Sequence, residues 1–212
     1  MSMPEPSKAS DQELALNRSD QLRNIADGVS YGLHPAVLMV LTVILISGHA
    51  RNSLALTLMD MAILIAGLLP GLLYIYIRTK QGHFSHYHLL LKEERRIVLP
   101  LLFLGMVGSF VLYALTQAPA IMLRGMLIGL LAGAGAILIS RFWKISLHAA
   151  VAMGCAALFI PISWSILLGI SALGIVVGIS RLVVKHHTPA QVIGGWIYGL
   201  GVTSLLVWIL LV

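Results

Sequence analysis

Apolar residues gather into seven runs along the chain, at 33–49, 54–77, 98–116, 120–140, 148–161, 163–180 and 189–212. Most are close to the roughly 17–25 residues an α-helix needs to cross the hydrocarbon of a bilayer. The pattern predicts an all-α fold, a polytopic transmembrane bundle of six to seven spanning helices. The first and fifth runs are short, and Pro161 parts the fifth from the sixth with almost no loop, which predicts a tight turn. Pro119 and the pair Thr116-Gln117 turn the chain between the third and fourth. Residues 1–30 are polar and of mixed charge, and are expected to form a disordered tail ahead of a single membrane domain over 31–212. Within the fourth run, Gly129, Gly133 and Gly135 with Ala132, Ala134 and Ala136 make a small-residue face suited to close helix packing.

Composition excludes a soluble domain. Hydrophobic residues are 58% of the chain and charged residues 10%, with a mean hydropathy of +0.94, so apolar surface must face lipid. The net charge of +6 is carried in short loops between helices. That distribution suits anionic lipid or a phosphorylated substrate, and not nucleic acid. Cys155 is the only cysteine and lies inside an apolar run, so no internal disulfide forms. The N-terminus lacks a basic start leading into a short apolar core, and the first spanning helix is expected to act as the insertion signal. Alternating crossings put the N-terminal tail and the loops 78–97, 141–147 and 181–188 on one face. Of the 14 lysines and arginines, all but Arg51 and Arg124 fall there. The excess of positive charge predicts a multi-pass protein of the cell (inner) membrane with this face toward the cytoplasm.

The same face collects His83, His86, His88, His148, His186 and His187. Three clusters carry chemistry. In Ser180-Arg181-Leu182-Val183-Val184-Lys185-His186-His187-Thr188-Pro189-Ala190-Gln191, Arg181 is a fixed cation able to hold two phosphate oxygens. Thr188 suits an N-cap and Pro189 the first helical position, so His187 stands at a helix mouth, where an anion is favoured. In Arg141-Phe142-Trp143-Lys144-Ile145-Ser146-Leu147-His148, Ser146 and the amides around it suit an oxyanion, and His148 a proton transfer. The third stretch runs from His86 and His88 through Lys92, Glu93, Glu94, Arg95 and Arg96 to Pro100. On a helix its Lys92, Arg95 and Arg96 share one face. Each cluster taken alone has a plainer explanation: a basic turn before a capped helix, a basic-aromatic belt at the membrane surface, and an amphipathic surface helix. Topology brings all three to one face, which the plainer explanations do not require.

The arrangement resembles the type 2 phosphatidic acid phosphatase superfamily, membrane phosphatases related to vanadium haloperoxidases. Its motifs run Lys-x6-Arg-Pro, Pro-Ser-Gly-His and Ser-Arg-x5-His-x3-Asp. Ser180, Arg181 and His187 match the third at the right spacing. Ser146 and His148 match the second in part, with Ile145 for proline and Leu147 for glycine, while Lys92, Arg95 or Arg96, and Pro100 meet the first loosely. The resemblance covers residues 80–205. It implies a metal-independent, cofactor-free phosphoryl transfer from an amphiphilic lipid phosphate or isoprenyl diphosphate. His187 would be the nucleophile, passing through a phosphohistidine, and His148 the proton donor and then the base. Arg181, Ser146, Lys92, Arg95 and Arg96 would hold the phosphate. Gln191 stands where the family has the aspartate that orients the nucleophile; its carbonyl can accept the imidazole N–H but cannot offset an imidazolium charge. Gln191 also completes a capping box with Thr188.

Two further readings come from other classes. The histidines could ligate a metal or haem, although the chain offers no thiolate or acidic ligand set. A transporter or scaffold is the other, but Asp60 is the notable ionisable residue at mid-depth, where a coupled transporter places several. Asp60 suits a structural hydrogen bond or helix contact.

Overall fold

The computed structural model describes residues 6–84 and 92–211, and the side chains of all of these except 6–12, 14–16 and 92. His86, His88 and the side chain of Lys92 therefore lie outside the description. The described chain is helical throughout: α1 Pro6–Gly32, α2 Pro35–Arg51, α3 Leu54–Lys80, α4 Lys92–Leu115, α5 Ala120–Phe142, α6 Leu147–Ala157, α7 Trp164–Val183 and α8 Pro189–Leu210. The result is a helical membrane bundle. Five helices, α3, α4, α5, α7 and α8, are long and apolar enough to span, and a sixth span arises if residues 17–32 and α2, which meet at a bend of 44°, are taken as one.

Two expectations are corrected. The polar segment expected as a disordered tail is helix α1 from Pro6 onward, and residues 1–5 lie outside the described residues. Ala26 and Ser30, four residues apart, are both buried on one face of α1, and that face packs on α7. Polar composition on the remaining face concealed a helix whose apolar stripe is narrow. The run 148–161, read as one of the six to seven spans, yields only the 11-residue α6, and five to six spans are found. At 1.5 Å per residue α6 is about 16 Å long, against roughly 30 Å of hydrocarbon. Its His148, Ala149, Ala150, Ala152, Met153, Cys155, Ala156 and Ala157 are all buried, so its apolar character serves protein packing and not lipid contact.

Sequence-local signals set the helix starts. Pro35 and Pro189 occupy first-turn positions, and Ser146, Ser163 and Thr188 accept hydrogen bonds from backbone N–H groups three residues on. Glycines then decide which helices meet. A Cβ on Gly67 would strike the Gly105 carbonyl, and one on Gly105 the Gly67 carbonyl, so α3 and α4 touch backbone to backbone. Gly195 and Gly199 do the same for α8 against Ser146 and Ala150 of α6. At the far end of the bundle Asp60 of α3, wholly buried, takes Arg51 of α2 at 2.7 and 3.1 Å and the Ser47 hydroxyl at 2.6 Å. Tyr113 of α4 donates to its backbone carbonyl at 2.7 Å. Asp60 is thus the hub that locks α2, α3 and α4 away from the basic face.

Candidate functional site

The turn between α7 and α8 is built by its own residues. Arg181 ends α7, its carbonyl accepts the His186 N–H at 3.1 Å, and the chain swings through Lys185 in the left-handed region at φ 58°. Thr188 then caps α8: its hydroxyl accepts the Gln191 N–H at 3.3 Å, and Gln191 Oε1 accepts the Thr188 N–H at 3.2 Å. That same Oε1 lies 3.1 Å from His187 Nδ1. An oxygen already accepting from a backbone N–H identifies the side-chain carbonyl and cannot itself donate, so Nδ1 carries the proton and Nε2 keeps the lone pair.

The second cluster is tied to the third by backbone. The Ser146 N–H donates to the Gln191 carbonyl at 3.0 Å. Ser146, fully buried, caps α6 by accepting from the Ala149 N–H at 3.5 Å. Its N–H is therefore committed to structure, while its hydroxyl accepts in the cap and keeps an O–H to donate. With that O–H, the donors that this end of α6 can offer an anion are its first-turn amides, which have no partner inside a helix. Because α6 and α8 run side by side from this point, two helix N-termini, each with partial positive charge, open on the same space. The first cluster joins through Arg95, whose Nη1 donates to the Ile145 carbonyl at 3.2 Å. Arg95 is buried and Arg96 exposed, so of the two only Arg95 is drawn into the group.

Arg181 is the centre of this assembly. It is 0% exposed, and none of its three guanidinium nitrogens has a hydrogen-bond partner among the described residues. A guanidinium out of water without such partners carries a penalty of several kcal/mol, which a bound anion offsets. Asp27 of α1 is near enough to act on its charge, but makes no hydrogen bond to it. Burial, then Arg95, Arg181 and Lys144, depress the His187 pKa to about 3, against a smaller upward pull from Gln191. Lys144 is likewise lowered by burial and by Arg95 and Arg181. The group is a knot of positive charge around a neutral imidazole.

Sequence reasoning missed several contributors. His34 caps α2, with Nδ1 accepting the Ala36 N–H at 3.2 Å, and its ring stands edge-on to His148 with centroids 5.3 Å apart. Its signal was the pair His34-Pro35, which repeats the Thr188-Pro189 pattern of a capped helix start. Ser180, first residue of the third motif, faces away from the imidazole: its hydroxyl donates to the Val177 carbonyl at 2.7 Å and accepts from Ser30 of α1 at 2.9 Å. Gly195 and Gly199, spaced by four, were the readable sign that α8 would seat another helix. Among the described residues no three His, Cys, Asp or Glu side chains come together as a metal-ligand set.

The chain matches no protein-family model, no curated protein and no solved structure. The case for its function accordingly rests on these residues and their geometry.

Proposed function

We propose that this protein is a membrane phosphatase that hydrolyses a lipid phosphate or isoprenyl diphosphate through a phosphohistidine, with its site on the cytoplasmic face. The observation that carries the reading is Arg181, wholly buried with its guanidinium nitrogens unpartnered, next to an imidazole whose tautomer Gln191 sets.

Each step follows from the groups present. His187, neutral at any physiological pH, attacks phosphorus through Nε2 while Nδ1–H stays on Gln191. Arg181, Arg95, Lys144 and the two helix mouths take up charge on the equatorial oxygens. The bond from phosphorus to the leaving oxygen breaks, and His148 passes that oxygen a proton. His148, now neutral, removes a proton from water, whose oxygen attacks phosphorus and frees His187 with release of phosphate. Fixed cations do the neutralising, so the route needs no metal ion. The site opens among apolar helices, which lets an amphiphile present its head group while its chain stays in the membrane. Membrane lipid is the surrounding partner, and nucleic acid has no role.

The test is phosphate release from phosphatidic acid, phosphatidylglycerol phosphate and farnesyl diphosphate with chelator present. Wild type should turn over at least one of them, and His187→Ala should lose about 10³-fold or more, as removal of a covalent nucleophile does. Activity that depends on added divalent metal, or that His187→Ala retains, would refute the proposal.

A further inference from the structure

We propose that the bundle holds an intramembrane channel for one hydrocarbon chain, running from His148 along the glycine-alanine face of α5, and that the substrate is therefore a single-chain phosphate or diphosphate. The identity of the head group rests on the phosphatase reading; the channel itself does not.

Two cavities, each about 180 Å3, lie inside the bundle. They are stacked along its axis. On α2 the upper is walled by residues from His34 to Met39 and the lower by Met39 to Ile46; on α4 the division falls at Met106, and on α5 the two overlap at Gly133 and Ala136. From His34 to Ile46 the rise of α2 gives a depth of about 18 Å, more than half the hydrocarbon thickness. Stacked end to end over that depth, the two cavities suit one extended chain.

The upper cavity has three charged or titratable residues, His34, Arg95 and His148. All three sit at its head, and His148 is the proposed proton donor. The leaving oxygen lies on the chain side of the phosphorus attacked, carried by the chain in a monoester and by the inner phosphate in a diphosphate, so in both the tail lies beyond the proton donor and leads away from the nucleophile. His187 and Arg181 do not line the cavity, as that order requires. Deeper in, three hydroxyls are taken up by backbone: Thr42 donates to the Leu38 carbonyl, Tyr113 to that of Asp60 and Tyr198 to that of Ala132. The walls thus present hydrocarbon, with Met39, Met106, Met122 and Met126 supplying side chains that adapt to a chain's shape.

The glycines of α5 are the sharpest sign. Gly129, Gly133 and Gly135 were expected to seat a neighbouring helix, and at Gly135 one does, since a Cβ there would strike Tyr198 of α8; deeper along α5, a Cβ on Gly125 would meet nothing within 4 Å. One on Gly129 would touch only the Met106 methyl at 3.5 Å, and one on Gly133 only the Phe103 ring at 3.7 Å. Gly67, Gly105, Gly195 and Gly199 abut backbone instead. The expectation holds at Gly135 and is corrected at Gly129 and Gly133, where the face keeps a lane open. In lipid there is no hydrophobic gain from burying a chain there, but an unfilled lane forfeits dispersion contacts that a chain restores.

The test replaces Gly133, Gly129 and Gly125 singly by Leu, at successive depths of about 6 Å along α5. Phosphate release would be compared for geranyl, farnesyl and geranylgeranyl diphosphates, lysophosphatidic acid and dioleoyl phosphatidic acid. Wild type should favour the single-chain substrates over the two-chain one by about tenfold or more. Gly133→Leu should keep geranyl turnover within about twofold and lose about tenfold or more on geranylgeranyl, with the block relaxing through Gly129→Leu to Gly125→Leu. Geranylgeraniol, which has no phosphate, should raise the thermal unfolding temperature of wild type and not that of Gly133→Leu. An unchanged length profile and an unchanged geranylgeraniol shift in folded variants would overturn the channel, as would equal turnover of the two-chain and single-chain substrates. If wild type releases no phosphate at all, the phosphatase reading fails, and loss of the geranylgeraniol shift in Gly133→Leu still upholds the channel.

Discussion

At the scale of single residues, the site is a problem in electrostatics. Burial of His187, with three cations adding to its effect, lowers the imidazole pKa to about 3. That places a sign on stability. Unfolded, the group titrates near 6.5 and so binds more protons than the folded state between about pH 3 and 6.5; stability must fall as pH falls through this window. Counting 1.5 units below 6.5, the loss at pH 5 is roughly 2 kcal/mol. Thermal unfolding in detergent between pH 7.5 and 5 should show it, and His187→Asn should remove most of the slope. An equal slope in the variant would mean that other groups set it. Gln191 acts on the same imidazole differently: it sets which nitrogen carries the proton, but as a neutral amide it would leave the ring charge of the proposed phosphohistidine without a counterion.

At the scale of elements, the arrangement depends on one helix pair. α6 and α8 start together, linked by the Ser146 N–H and the Gln191 carbonyl, and their backbones touch where Gly199 meets Ala150. A side chain at 199 has to push into the Ala150 carbonyl, and backbone cannot yield cheaply. Gly199→Val is therefore expected to destabilise the protein by about 2–4 kcal/mol, and to cost phosphatase activity about 10²-fold even in the fraction that folds, because His148 shifts against His187. A denaturation series in detergent with parallel phosphate assays measures both. Near-normal stability and activity would show that the close approach is dispensable. The same pair explains a misreading. Apolar run and spanning helix are the same pattern in one dimension, so the run 148–161 could not disclose that α6 is short and enclosed by protein.

For the whole molecule, charge sets direction. The cation-rich end carries the site, while the opposite end is closed by Arg51 paired with Asp60, and the proposal puts the cation-rich end in the cytoplasm. Cys155 is buried, which leaves a quiet background for thiol labelling. Lys185→Cys, on the site turn, and Gln117→Cys, on the opposite turn, both replace exposed residues. In intact cells a membrane-impermeant maleimide should label position 117 and reach 185 only after permeabilisation; the reverse would invert the orientation. Much of this molecule was legible in one dimension: the helical membrane class, most helix positions, and the spacing from Arg181 through His187 to Gln191. Those features depend on residues a few positions apart, or on composition summed over a run, and chain connectivity alone holds them in relation. Only the tertiary structure decided that Arg95 and not Arg96 turns inward, that His34 reaches His148, that residues 17–32 pack beside Arg181, and that Gly125 of α5 faces open space while Gly135 meets α8. Each of those turns on which surfaces meet across the bundle, and glycine contacts, buried charge pairing and helix tilt settle that jointly, at separations in sequence that no local pattern spans.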